Sequence, residues 1–182
     1  MTLSLRHRSV SIVSACACLV FLASALPASA EPTAVSTATV TVEGGGLSIS
    51  APGDAGNLGT QSNGVGPLTI SGPLGQVQVT DSRGAPAGSG WTATAISTAF
   101  TQTAGSSIGA DAVGYSAGPI TKVGTATYTA NDPANLTGVS PVVTATAITG
   151  DNTATWNPTI HVAVAADMPA GVYIGTITHS VS

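Results

Sequence analysis

The stretch Val172-Tyr173-Ile174-Gly175-Thr176-Ile177-Thr178-His179-Ser180-Val181 reads as an extended strand running to the end of the chain. Successive side chains of a strand point to opposite faces. Tyr173, Ile177, His179 and Val181 therefore share one face, and Ile174, Thr176, Thr178 and Ser180 share the other. Residues 153–182 are expected to form one β-ribbon whose terminal segment pairs with Gly90-Trp91-Thr92-Ala93-Thr94, far upstream. Just before the strand, Asp167-Met168-Pro169-Ala170-Gly171 is a turn whose Pro and Gly set the backbone. A turn followed by Tyr173 resembles the tyrosine corner of immunoglobulin-like sandwiches, in which the phenol bonds back to the chain upstream. The alternative is an ordinary edge tyrosine.

The same period of two recurs through the chain. Val40 and Val42 alternate in Thr39–Glu43, Leu47 and Ile49 follow Gly44-Gly45-Gly46, and Leu68 with Ile70 comes next. Val77 and Val79 face away from Gln76, Gln78 and Thr80. Ser82-Arg83-Gly84-Ala85-Pro86-Ala87-Gly88 has the composition of a turn, after which Trp91, Ala93 and Ala95 line one face. Further strands are expected at Thr125–Thr129, Val142–Ile148, Thr159–Val164 and Val172–Val181. Short Thr- and Val-rich strands separated by Gly, Pro, Asn and Asp predict an all-β fold, a single antiparallel immunoglobulin-like β-sandwich closed by the C-terminal strand. No window of about 11 residues after position 30 carries a helical period, so one turn of helix near Ile108–Val113 is the most expected.

The N-terminus reads as a secretory signal peptide over residues 1–30. Arg6, His7 and Arg8 are basic, Val10–Leu26 is apolar, and Ala28-Ser29-Ala30 is a small-x-small cleavage site, so the mature chain begins at Glu31. Two alternatives are a retained anchor, since roughly 17 apolar residues approach the lower limit for a span, and lipid attachment at Cys16 in Val13-Ser14-Ala15-Cys16. The Ala-Ser-Ala exit argues against the anchor, so no transmembrane segment is expected after cleavage. Cleavage at Cys16 would expose Leu19–Leu26 on the mature protein.

Cleavage after Ala30 leaves 152 of 182 residues, the size of one domain, and removes both cysteines, Cys16 and Cys18. Arg83 and Lys122 then face eight acids, a net charge of −6. Two cations cannot neutralise a row of phosphates or dock on anionic lipid, which excludes nucleic acid as a partner.

Groups able to do chemistry are few. There is no His-Glu-x-x-His zinc pattern and no Gly-Lys phosphate loop. Asp54, Asp81, Asp111, Asp132, Asp151 and Asp167 fall in or beside Gly, Asn or Pro turns, where Asp serves the local backbone. Asn131-Asp132 and Asp151-Asn152 carry oxygens that suit Ca²⁺, yet neither spacing is a calcium loop. Neither an enzyme nor a cofactor or metal site is expected. The binding candidates are Trp91, Trp156, Tyr173 and His179. Trp91 offers a face for sugar rings, although sharing a side with Ala93 and Ala95 speaks for core. Trp156, before the Asn157-Pro158 bend, reads as the more exposed aromatic. His179 lies on the apolar face of its strand and is expected to be partly buried and neutral, while His161 has the opposite parity to Ile160, Val162 and Val164 and points to solvent.

A secreted chain with one mid-domain Trp segment and a terminal Tyr-x-x-x-aliphatic-Thr segment resembles the WxL domain of Gram-positive bacterial surface proteins. Tyr173, Ile177 and Thr178 match the terminal motif and Trp91 the first Trp; His179 stands in place of the second Trp, and Val181 and Ala93 in place of the Leu residues. The likeness extends loosely over residues 47–181, taking in Val77–Asp81, Gly90-Trp91 and the Asn157-Pro158 bend. It implies a domain held non-covalently at the cell wall, with peptidoglycan or another wall glycan, and other surface proteins, as partners. The residues themselves speak for binding through a polar Thr, Ser and Asn surface. The rival reading is an adhesin or pilin-like subunit that joins copies by strand pairing.

Overall fold

In the computed structural model, residues 38–62 and 64–182 are described. The chain divides into Met1–Val40 and Thr41–Ser182. Of the first unit only Ala38–Val40 are described, and they hold no strand. The expected signal peptide, its cleavage site and both cysteines lie outside the described residues.

Among the described residues ten strands build the second unit: β1 (Leu47–Ser50), β2 (Leu68–Pro73), β3 (Val77–Ser97), β4 (Phe100–Thr101), β5 (Ser107–Ile108), β6 (Val113–Ser116), β7 (Thr121–Ala130), β8 (Ser140–Trp156), β9 (Thr159–Val164) and β10 (Ile177–Val181). Every ladder among them is antiparallel. The larger sheet runs β1-β3-β8-β7, and β10 also pairs with β3. β1 covers residues 78–81 of β3 and β10 covers residues 93–97. The smaller sheet is β2-β9-β6, and β4-β5 is a hairpin. A 3-10 turn at Ala110–Ala112 occupies the place where a helical turn is expected.

The two sheets form the antiparallel sandwich that the alternation predicts. Val77, Val79, Trp91, Ala93 and Ala95 of β3 and Val143, Ala145, Ala154 and Trp156 of β8 are buried, and they share one core with Val113 and Tyr115 of β6 and Ile160, Val162 and Val164 of β9. Apolar burial of this kind, worth about 1.5–3 kcal/mol per fully buried large side chain, is what holds sheets together.

Four expectations are corrected. Residues 153–182 are not one ribbon: after β8 the Asn157-Pro158 bend carries the chain into the smaller sheet as β9, and β10 returns to the larger one. Of Val172–Thr176 only Ile174 bridges, to Thr101. Thr39–Glu43 is not a strand, and Val40 and Val42 are 85% and 89% exposed. Continuing β1 backwards would carry it through three glycines onto an irregular stretch of β3, which offers no regular ladder.

Ser82–Gly88 does not reverse the chain but lies inside β3. The register with β8 slips between Asp81 and Ala85, between Ala85 and Ser89, and again between Ser89 and Trp91. Gly84 and Gly150 take φ of +61° and +69° there, a conformation that L side chains rarely adopt. Residues suited to turns are here spent on bulges, which bend a long strand without ending it. Asp81 accordingly belongs to the strand, on the inward face with Val77 and Val79, and is fully buried.

Candidate functional site

Trp91 is a brace rather than a platform. Its indole is 3% exposed, and its Nε1–H donates to Asn152 Oδ1 at 3.1 Å. Tyr128 OH donates to the same oxygen at 3.1 Å, and its ring lies 5.7 Å from that of Trp91. Asn152, directly across the ladder from Asp81, donates its amide to Asp81 Oδ2 at 3.2 Å. Arg83 closes the cluster with Nε to Asp81 Oδ1 at 2.8 Å and Nη2 to Oδ2 at 2.9 Å. Those bonds hold the Asp81 carboxyl below its ordinary range, and Asp81 in turn raises the guanidinium. The cluster joins the two halves of β3 across its bulges. Asn152 Oδ1 accepts two donors, Asp132 Oδ1 accepts from Ala117 N at 2.7 Å, and Asp151 Oδ1 accepts from Gly84 N at 3.0 Å.

Trp156, expected at the surface, is 2% exposed. Opposite Val77 in the ladder, it faces the space between the sheets, and the bend after it is a corner rather than a protrusion. Its Nε1–H donates to Tyr115 OH at 2.8 Å, and Tyr115 OH lies 3.2 Å from His179 Nε2. The phenol thus bridges the indole and the imidazole, and the His179 tautomer sets which of Tyr115 OH and Nε2 donates. Burial lowers the His179 pKa and raises that of Tyr115. His179 is opposite Ala95 on the inward face, as the parity predicts. His161 instead lies on the outer side of β9, half-buried, with Nδ1 2.9 Å from Ser71 Oγ and Nε2 3.2 Å from Ser116 Oγ.

Tyr173 OH donates to the Pro169 carbonyl at 2.7 Å, four residues back, which makes the tyrosine corner. Tyr173 and His179 both line a cleft of about 1110 Å³. Its apolar wall comes from Leu68 and Ile70 of β2, Val162 and Val164 of β9 and Ile177 of β10. Residues 51–62 line it as well; a Cβ at Gly72 would collide with the Leu58 backbone, so glycine lets that segment lie against β2. Of the four candidates, then, Tyr173 and His179 meet at the cleft, whereas Trp91 and Trp156 are core.

The outer face of the larger sheet carries the polar surface. Opposite residues of an antiparallel ladder project to the same side, so the register assembles rows across four strands. Ser50, Gln78, Thr155 and Thr121 make one row, and Ser48, Thr80, Thr153 and Val123 the next. Beyond the bulges Thr92, Thr144 and Thr129 line up, with Thr94 beside Ser180. Gln78 Nε2 donates to Thr155 Oγ1 at 3.1 Å, and Thr94 Oγ1 is 2.8 Å from Ser180 Oγ. Strand spacing of about 4.8 Å and a repeat of about 6.7 Å along each strand set the lattice of these groups. Strand parity carries this face in the sequence; the rows themselves depend on register.

Among the described residues no group of three or more His, Cys, Asp or Glu is placed to hold a metal ion, and no helix is long and apolar enough to cross a membrane. No protein-family model, curated protein or solved structure matches the chain.

Proposed function

We propose that this protein is a secreted, non-enzymatic surface protein that associates non-covalently with peptidoglycan or another glycan of the bacterial cell wall, alone or with partner surface proteins. The observation that carries the reading is the hydroxyl lattice on the outer face of the larger sheet. Apart from Val123, its rows carry Ser, Thr and Gln side chains, uncharged donors and acceptors that match sugar hydroxyls and N-acetyl groups. Threonine on a strand has a restricted χ1. Its hydroxyl is held nearly in place before binding, so little side-chain entropy is lost on contact. A repeating polymer can meet many such groups at once. The WxL resemblance supports the same destination, and the pairing of β10 with the strand that carries Trp91 brings its two motif segments together.

Pelleting of the purified protein with isolated cell walls tests this reading. The parent is expected to co-sediment, and the pair Thr80→Lys and Thr153→Lys, on adjacent strands of one row, to remain in the supernatant with an unchanged circular dichroism spectrum. A parent that stays in the supernatant, or a lattice variant that pellets like it, refutes the proposal.

A further inference from the structure

Thr39-Val40-Thr41-Val42-Glu43 has the alternation of a half-buried strand, yet among the described residues it belongs to no strand and its two valines are almost fully exposed. Exposing an alternating Thr/Val segment leaves apolar side chains in water and a row of backbone donors and acceptors without a ladder. The glycines that follow anchor its base: Gly45 N donates to Ser82 O at 2.5 Å, and Ser82 N donates to Gly46 O at 2.9 Å. Gly45 and Gly46 are thus tethered beside the middle of β3.

The cleft presents the complementary feature. Leu68 and Ile70 of β2 and Ile177 of β10 all line it, and these strands are edges of the two sheets. Ile174, on its rim, is 72% exposed, and so is Val172 at 78%. A gap lined by two sheet edges with an apolar floor takes an extended segment whose alternate side chains are apolar, the main chain adding ladder bonds. A strand of five residues spans about 17 Å, and β10, which borders the gap, is itself five residues long.

We propose that the Thr39–Glu43 arm of one copy inserts as a strand into the cleft of a second copy, with Val40 and Val42 against Leu68, Ile70 and Ile177. The contact is heterologous: donor and acceptor are different surfaces, so copies join head to tail into open chains. It leaves the hydroxyl face uncovered and does not rest on the wall reading.

Light scattering of the purified secreted protein decides the matter over a wide concentration range. The parent is expected to form oligomers that grow with concentration. An arm variant, Val40→Asp with Val42→Asp, and a cleft variant, Ile174→Asp, should each stay monomeric; all three positions are exposed, so the fold of each monomer is kept. The arm variant keeps its cleft and the cleft variant keeps its arm. Mixed in equal amounts, they should give dimers and nothing larger. A parent that is monomeric throughout, variants that oligomerise like the parent, or a mixture that stays monomeric would each overturn the proposal. Wall pelleting reads a different face, so either idea can fail while the other stands.

Discussion

Replacing Asn152 by Leu keeps the volume of a buried side chain and removes every hydrogen bond that the amide makes. Three partners are affected. Trp91 Nε1–H, in a 3% exposed residue, loses its acceptor, Asp81 Oδ2 loses one donor while keeping Arg83, and Tyr128 OH loses its acceptor. A stranded buried donor costs about 1–3 kcal/mol, and a lost bond to a charged group about 1.5–3. Tyr128 is only half-buried and can turn to water. The first two losses together come to roughly 2.5–6 kcal/mol, a large part of the 5–15 kcal/mol by which a domain is stable. Tyr128→Phe removes one donor and leaves Asn152 bonded to Trp91, so about 0.5–1.5 kcal/mol is expected. Urea unfolding followed by tryptophan fluorescence measures both, with the midpoint moving and the slope unchanged. If Asn152→Leu unfolds within about 0.5 kcal/mol of the parent, then the cluster does not brace the bulged ribbon and the reasoning fails.

Three other outcomes are expected. Because burial lowers the His179 pKa, the unfolded state takes up the proton first, and the stability due to the neutral ring falls as pH drops below about 6.5; His179→Gln, which keeps an acceptor for Tyr115, should flatten that slope in urea titrations run between pH 7 and pH 5, and an unaltered slope would place the sensitivity elsewhere. Tyr173→Phe should cost about 0.5–1.5 kcal/mol through loss of the bond to Pro169, read as a lower unfolding temperature, and no change would reduce the corner to a coincidence of geometry. Intact mass of protein recovered from culture supernatant should correspond to a chain starting at Glu31; a lipid adduct on Cys16 or an uncut N-terminus would refute the signal reading.

The sequence by itself determined what depends on near neighbours. Side chains alternate across a strand whichever strand lies beside it, so the β class, the inward parity of His179 and the outward Thr positions could be read from period two alone. The tyrosine corner was legible for the same reason, since its donor and acceptor are four residues apart. Tertiary structure decided the rest. Gly84 and Gly88 satisfy a turn or a bulge equally well, and only pairing with β8 selected the bulge. The parity of Val77, Val79 and Asp81 put a carboxylate on the core face, but its partner Asn152 is 71 residues away, and the Trp91–Asn152 bond spans 61. Trp156 next to a Pro bend looks exposed until that bend proves to be the corner between two sheets. Such contacts exist only once distant segments close on one another, and the alternation of a single strand carries no record of its partner or of its register.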